Sequence, residues 1–331
     1  MSLPGPLRLS PLCLAKVWAA PELPAPWCEL VACPPRTGEV WLLSDRHHVT
    51  PVAEGPLAGQ GLDQVLARWP EWLLGPGRPP GLPILAKLLN VGDWLSVQVH
   101  PDDAAARRLE NEPWGKSECW QVLAAQPGAE IVLGLKPGCD RAGLEAALAA
   151  GEIASVLARV PARGGDTFHL PAGVVHATGP GLFIFELQQM SDVTYRFYDW
   201  DRPGDDGKPR SLHQEKALAV MTPSGPGAPL APRALPHPGA RVERLVEDPH
   251  FVLTRITTRT AYRPSAEAKG LRHWFVLAGQ GRLLAPGQEP QALSPAQSWL
   301  LPAGLDWAEA APEPGQELVI LESLARGGEN V

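Results

Sequence analysis

A chain of 331 residues has room for one large domain or two ordinary ones, and its 44% hydrophobic and 20% charged residues match a soluble globular protein. The formal charge of -7 leaves no broad basic field for phosphate backbones, which excludes nucleic acid as a partner, so an anionic substrate would be held by local cations. No apolar run reaches membrane-spanning length, and the Pro-broken N-terminus lacks the continuous apolar core of a secretion signal; a cytoplasmic protein without a membrane partner is expected.

The 38 Pro and 33 Gly are spread along the whole sequence, which favours short strands joined by turns, so the expected fold class is mostly β. The five cysteines, Cys13, Cys28, Cys33, Cys119 and Cys139, are odd in number and lack CxxC spacing, so reduced thiols are expected. In chain order, the first strand candidates are CELVAC (28–33) and GEVWLLS (38–44), and LDQVLARWPEWLLG (62–75) has helical spacing up to Pro70. PILAKLLNVG (83–92) and DWLSVQVH (93–100) read as strands. PDDAAARRLEN (101–111) opens a helix, because Pro and paired aspartates suit a helix N-terminus.

Next come two strands, SECWQVLAA (117–125) and AEIVLGLK (129–136), across the turn QPGA. The Ala-rich segment 139–160 reads as two short helices parted near Gly151. GDTFHLPAGVVHAT (165–178) and GLFIFELQQ (181–189) return to strand chemistry. A Pro- and Gly-dense stretch, 203–240, reads as a linker with one short helix at 211–221; strands then recur at 250–258, 272–285, 297–304 and 317–324. The expected organisation is therefore a domain over 1–202 with a helical insert (about 103–112 and 140–160), the linker, and a second domain over 241–331.

Side chains alternate across a strand, so Gln98 and His100 share a face, and Lys116 and Glu118 repeat the arrangement. Two adjacent strands are expected to turn Gln98, His100 and Glu118 toward one metal ion, with His176 as the fourth ligand. Nitrogen and carboxylate donors without thiolate suit Zn²⁺ or another borderline divalent ion with an open coordination position, as in a catalytic site. The spacings Gly92-x5-Gln98-x-His100 and Gly165-x5-Pro171-x-Gly173-x2-His176 resemble both halves of the cupin signature, with Gln in place of the usual first His. His169 reads as a core or supporting residue, and His47 and His48 as surface residues.

ECWQVLA (118–124) matches RHWFVLA (272–278), and FHLPAGVVH (168–176) matches WLLPAGLDW (299–307). In this register Arg272 stands where Glu118 does and Trp307 where His176 does, so the second copy is expected to be a structural β module.

Taken together, GEVW, LLNVGDWLSVQVHPDD (88–103), WGKSECW (114–120) and the run 165–202 resemble the type I mannose-6-phosphate isomerases, in particular the short bacterial form. The resemblance is dense from Lys87 to Arg202 and sparse elsewhere. It implies two cupin (jelly-roll) β-barrel units, the second degenerate, and one Zn²⁺ per chain on Gln98, His100, Glu118 and His176. It also implies interconversion of mannose 6-phosphate and fructose 6-phosphate, by a monomer or weak homodimer whose only other partner is a small sugar phosphate.

By the same resemblance Ser96, Lys87 and Asp192 contact substrate, and Arg196 and Lys116 are catalytic. Thr178 departs from the aromatic hydroxyl of the eukaryotic long forms. An aldose to ketose isomerisation moves a proton from C2 to C1 through an enediolate, and needs a base, a counter-charge and a phosphate anchor. Glu186 is the candidate base, with an ion pair to Arg196 as its structural role; a zinc-bound hydroxide or Lys116 would serve the same step. A cupin oxygenase has no use for the lysines and arginine, and a non-catalytic sugar- or metal-binding cupin has no need to keep them beside four ligands.

Overall fold

The computed structural model describes residues 3–204, 207–265 and 270–326. Its strands are β1 (Leu7–Leu9), β2 (Leu12–Ala15), β3 (Thr37–Leu43), β4 (Ile84–Val91), β5 (Val97–Val99), β6 (Glu118–Ala125), β7 (Glu130–Leu135), β8 (Leu157–Pro161), β9 (Thr167–Leu170), β10 (His176–Thr178), β11 (Leu182–Gln189) and β12 (Tyr195–Tyr198) in the first part. The second part has β13 (Arg233–Leu235), β14 (Ala240–Glu247), β15 (Phe251–Thr258), β16 (Arg272–Ala278), β17 (Gly281–Leu284), β18 (Gln291–Leu293), β19 (Ser298–Leu301), β20 (Glu309–Pro312) and β21 (Leu318–Ala325). The mostly β expectation holds.

Four antiparallel sheets stack in layers. A five-stranded sheet, β12-β5-β10-β7-β8, faces a six-stranded sheet, β2-β3-β4-β11-β6-β9, and together they enclose Trp120, Ile131, Leu133, Phe168 and Ile184. The back of the six-stranded sheet meets a seven-stranded sheet, β1-β19-β16-β21-β15-β14-β13, through Phe183, Phe185, Leu187, Phe251, Phe275 and Leu321. That sheet in turn closes over the three-stranded sheet β18-β17-β20 around Trp274, Trp299 and Ile320. With both faces covered, β4 and β11 are buried along their whole length, which explains their nearly continuous apolar sequence.

The two halves repeat one another. The order β2-β3-β4-β11-β6-β9 in the first corresponds to β13-β14-β15-β21-β16-β19 in the second, and the sequence match of 118–124 with 272–278 falls on β6 and β16. Strand β1 lies in the second half's sheet, pairing Leu7 with Leu300. Between the halves lies the helix Gln214–Val220, and residues 224–230 run along the first half, with Leu135 N–H donating to Ser224 O and Leu230 N–H to Thr167 O, before β13 joins the second half's sheet.

Three local expectations are corrected. CELVAC is no strand: Trp27–Leu30 form one helical turn, because burying Trp27 against Phe183 and Phe275 (ring centroids 5.5 and 5.7 Å) fixes the backbone there. The second helix of 139–160 shrinks to a single 3-10 turn, Ile153–Ser155; Leu157–Pro161 is a strand that covers the edge of β7. The cysteines are not all reduced: Cys13 and Cys33 form a disulfide with Cα atoms 5.7 Å apart, because the intervening segment folds back on β2. Cys28, Cys119 and Cys139 are free.

Candidate metal centre

Strand β5 presents Gln98 into the first barrel between two neighbours in register, His176 on β10 and Arg196 on β12. His100 follows at the end of β5, and Glu118 begins β6 in the facing sheet. Glu118 therefore meets Gln98 and His100 across the barrel and not from an adjacent strand, a correction to the sequence reading. Alternation along β6 still decides which side chains point in, and Glu118 is fully buried.

His100, Glu118 and His176 offer ligand atoms within 4.8 Å of one another. His176 Nε2 lies 3.1 Å from Glu118 Oε1, and His100 Nε2 lies 3.6 Å from Oε2. Each imidazole spends its other nitrogen on a backbone carbonyl, His100 Nδ1 donating to Val193 O (2.8 Å) and His176 Nδ1 to Val174 O (2.9 Å). Those bonds fix the tautomers, so both Nε2 lone pairs point into the cluster.

Gln98 completes the ring. Its amide lies 3.5 Å from His100 Nε2 and 3.3 Å from His176 Nε2, and Ser96 Oγ bonds the same amide at 3.1 Å. The amide can turn its oxygen inward, since O and N are exchanged by a flip. Both oxygens of Glu118 are buried without a hydrogen bond. Two inward lone pairs, an amide and a buried carboxylate whose oxygens make no hydrogen bond among the described residues form a nitrogen and oxygen donor set that fits a divalent metal.

Electrostatics point the same way. Burial raises the Glu118 carboxyl, but the Lys116 ammonium above all, together with the neighbouring imidazoles, outweighs it and holds it well below the usual range. Burial first, then Lys116, push His100 well below its ordinary value, keeping it neutral as a ligand must be. Lys116 Nζ sits 3.2 Å from Glu118 Oε2.

Glu186 stands one indole away from the cluster. Trp120 Nε1 donates to its Oε1 at 2.8 Å, and the Trp120 ring meets His176 edge-on at 5.5 Å. The ion partner of Glu186 is Lys87 at 2.8 Å, its neighbour in register on β4, and not Arg196. Lys87, expected to contact substrate, is buried between Glu186 and Glu39, the latter 3.9 Å away. Those two carboxylates overcome burial and raise the Lys87 ammonium above its ordinary value. Glu39 is held down to about 2: burial raises it, and Lys87 and Lys16 outweigh that. It was the missed member of the site, and its signal was a lone carboxylate in the apolar strand GEVWLL.

Arg196 is partly buried beside Gln98, its Nε without a hydrogen bond; burial, then Arg210, lower its pKa. Asp192 is exposed at the rim, near enough to act electrostatically on Lys87 and Arg196. The following turn is pinned by Trp200 Nε1 donating to Leu95 O (2.7 Å) and by Arg210 on Asp199. His169 bonds Asp248, and His47 and His48 are exposed.

Residues 22–116 match the family described as phosphomannose isomerase type I, catalytic domain. The chain is 39% identical over 267 residues to the mannose-6-phosphate isomerase of Streptococcus mutans, covering 80% of this chain and 83% of that one. It is 36% identical over 287 residues to a probable mannose-6-phosphate isomerase of Bacillus subtilis, covering 85% and 89%. The crystal structure of a Bacillus subtilis mannose 6-phosphate isomerase superposes with a TM-score of 0.86 at 27% identity, over 97% of this chain and 99% of that one. A zinc-bound mannose 6-phosphate isomerase shares the fold at 14% identity, with a TM-score of 0.73 over 98% and 100%. With this identity along most of its length, and a buried His, Glu, His cluster where the barrel ligands were expected, the chain belongs to the type I phosphomannose isomerases.

Proposed function

We propose that this chain interconverts mannose 6-phosphate and fructose 6-phosphate by moving a proton between C2 and C1 through an enediolate. The carrying observation is the buried cluster of His100, Glu118 and His176, with Lys116 on the Glu118 carboxylate. Gln98, His100, Glu118 and His176 would hold one Zn²⁺ per chain, which supplies Lewis acidity toward the substrate oxygens.

The chain's own residues do the rest. Lys116 and Arg196 bring fixed positive charge to the two sides of Gln98 and Glu118, where enediolate oxygens need it. Ser96 orients Gln98 and lies toward the phosphate end, with Asp192 at the rim. Glu186 moves the proton, held in place by Trp120 and Lys87. A second reading gives the proton to Lys116 acting as the neutral amine, because its Nζ lies 3.2 Å from the Glu118 carboxylate whereas Glu186 stands behind the Trp120 indole. Residues 1–202 act as the catalytic unit, 203–240 as the connection and 241–331 as its support, in a cytoplasmic protein that is a monomer or weak homodimer.

A coupled assay with mannose 6-phosphate, before and after chelation and zinc return, tests this: turnover disappears on chelation and returns with zinc. Turnover that survives complete metal removal overturns the mechanism. Incorporation of solvent deuterium, compared in Glu186→Gln and Lys116→Met, assigns the proton to whichever variant loses exchange while still binding substrate.

A further inference from the structure

The side of β6 that faces away from the metal cluster is held by the second unit. Lys116 and Glu118 point into the barrel, and alternation sends Ser117 and Cys119 out, toward the seven-stranded sheet. Asp248, on the turn between β14 and β15, meets that outer side: Ser117 Oγ donates to Asp248 Oδ2 at 2.7 Å, and His169 Nε2 bonds the same oxygen at 2.8 Å. The other oxygen, Oδ1, accepts the His250 backbone N–H at 2.8 Å, which fixes the carboxylate on its own turn. Asp248 is 3% exposed and Ser117 5%. His169 lies opposite Cys119 on β9, so one carboxylate grips two neighbouring strands of the first barrel.

The backbone around Ser117 is also fastened from within. Ser117 N–H donates to Gln189 Oε1 (2.9 Å), Gly115 N–H to Asp103 Oδ1 (2.7 Å) and Lys116 N–H to Pro101 O (2.9 Å). These bonds restrain the loop within the first barrel; the Asp248 contact adds the one hydroxyl handle that the second unit has on it among the described residues.

We propose that Asp248 is a positioning residue for the metal centre: by holding Ser117 from outside, it sets the direction in which Lys116 and Glu118 enter the barrel. The second unit would then have a task in the active site without touching substrate. This rests on the metal-dependent isomerase reading, and the test separates the two.

Zinc affinity of the full-length apo chain is measured by competition with a chromophoric chelator, and the visible spectrum of the Co²⁺-substituted chain reports the ligand geometry. Asp248→Ala and Ser117→Ala each weaken zinc binding roughly tenfold and shift the Co²⁺ bands. The double variant is no worse than either single one, because both remove the same contact. Asp248→Asn, which keeps an acceptor for Ser117, recovers most of the affinity. Should Asp248→Ala fail to fold, Ser117→Ala decides, since it leaves the Asp248 to His169 bond in place. Unchanged zinc affinity and Co²⁺ spectrum in Ser117→Ala overturn the proposal, as does full additivity in the double variant. A parent chain that binds zinc but does not turn over mannose 6-phosphate refutes the isomerase reading and leaves this comparison intact.

Discussion

The two halves of the molecule share one strand order, and where they differ shows what the first half needs for chemistry. In the first, Trp120 on β6 donates to Glu186, its neighbour in register on β11; in the second, Trp274 on β16 donates to Glu322 on β21, also at 2.8 Å and also in register. The buried carboxylate and its indole are thus part of the common framework. What differs is the cation that balances the carboxylate. Lys87 comes from the next strand in the first half, leaving the Glu118 position open for a metal ligand. In the second, Arg272 occupies that very position and turns onto Glu322, 3.3 Å away. A buried carboxylate must be compensated, and taking the cation from the ligand position removes the metal site.

The strongest way to break the comparison is to carry Arg272's side chain into the first half. Glu118→Arg should lose the metal and at least about a thousandfold in turnover. Metal content by plasma emission and the coupled assay check it together. A variant that retains one zinc per chain and turns over within tenfold of the parent would mean that Glu118 is not what separates the halves.

The second half should also add to the acid sensitivity of the fold. His273 is fully buried; its Nε2 donates to Ser298 Oγ at 2.8 Å while Ser298 Oγ donates to Leu42 O at 2.9 Å, so Nδ1 carries an unpaired lone pair. Burial drops its pKa from 6.5 to about 3. Above 6.5 the imidazole is neutral in folded and unfolded chains and contributes no pH dependence. Below 6.5 the unfolded chain takes the proton and the folded chain does not, so stability falls with pH and stops falling near 3. The loss totals about 4 to 5 kcal/mol, near 1.4 per pH unit. Urea unfolding of the parent and of His273→Gln at several pH values between 4 and 7 should show a steeper loss in the parent, the difference between the two slopes being the His273 contribution; parallel slopes would discard the assignment.

Much of the centre was legible because its parts are close in sequence or lie in gapped motifs: Gln98 and His100 are two apart on a strand, and the turn before His176 requires Gly173 at φ 89°. Pairings between distant strands were not legible, since no local pattern encodes register. Trp120 and Glu186 are 66 residues apart and Ser117 and Asp248 131 apart, and the ion partner of Glu186 was expected to be Arg196 when the sheet supplies Lys87. The disulfide escaped for the same reason: an odd cysteine count carries no information about where a loop of 20 residues returns. The repeat was visible as short matches on β6 and β16, but the shared indole to carboxylate bond emerges only when β11 and β21 are placed beside them.

That shared bond allows a smaller and sharper test. Trp120→Phe and Trp274→Phe remove the same donor from equivalent carboxylates, each of which keeps its cation, Lys87 or Arg272. Both should cost about 1 to 3 kcal/mol of stability, read as matching shifts in the urea midpoint. Kinetics should separate them. Trp120 also lies edge-on to His176, so its loss frees Glu186 beside the metal cluster, and kcat should fall about tenfold, equivalent to 1.4 kcal/mol of barrier. Trp274→Phe should leave kcat unchanged, because among the described residues Glu322 is bonded to Trp274 and Arg272 in the second half and reaches the ligands only through the packing of two sheets. Equal losses of kcat in the two variants would show that the second half's indole and carboxylate serve the active site as directly as the first half's do.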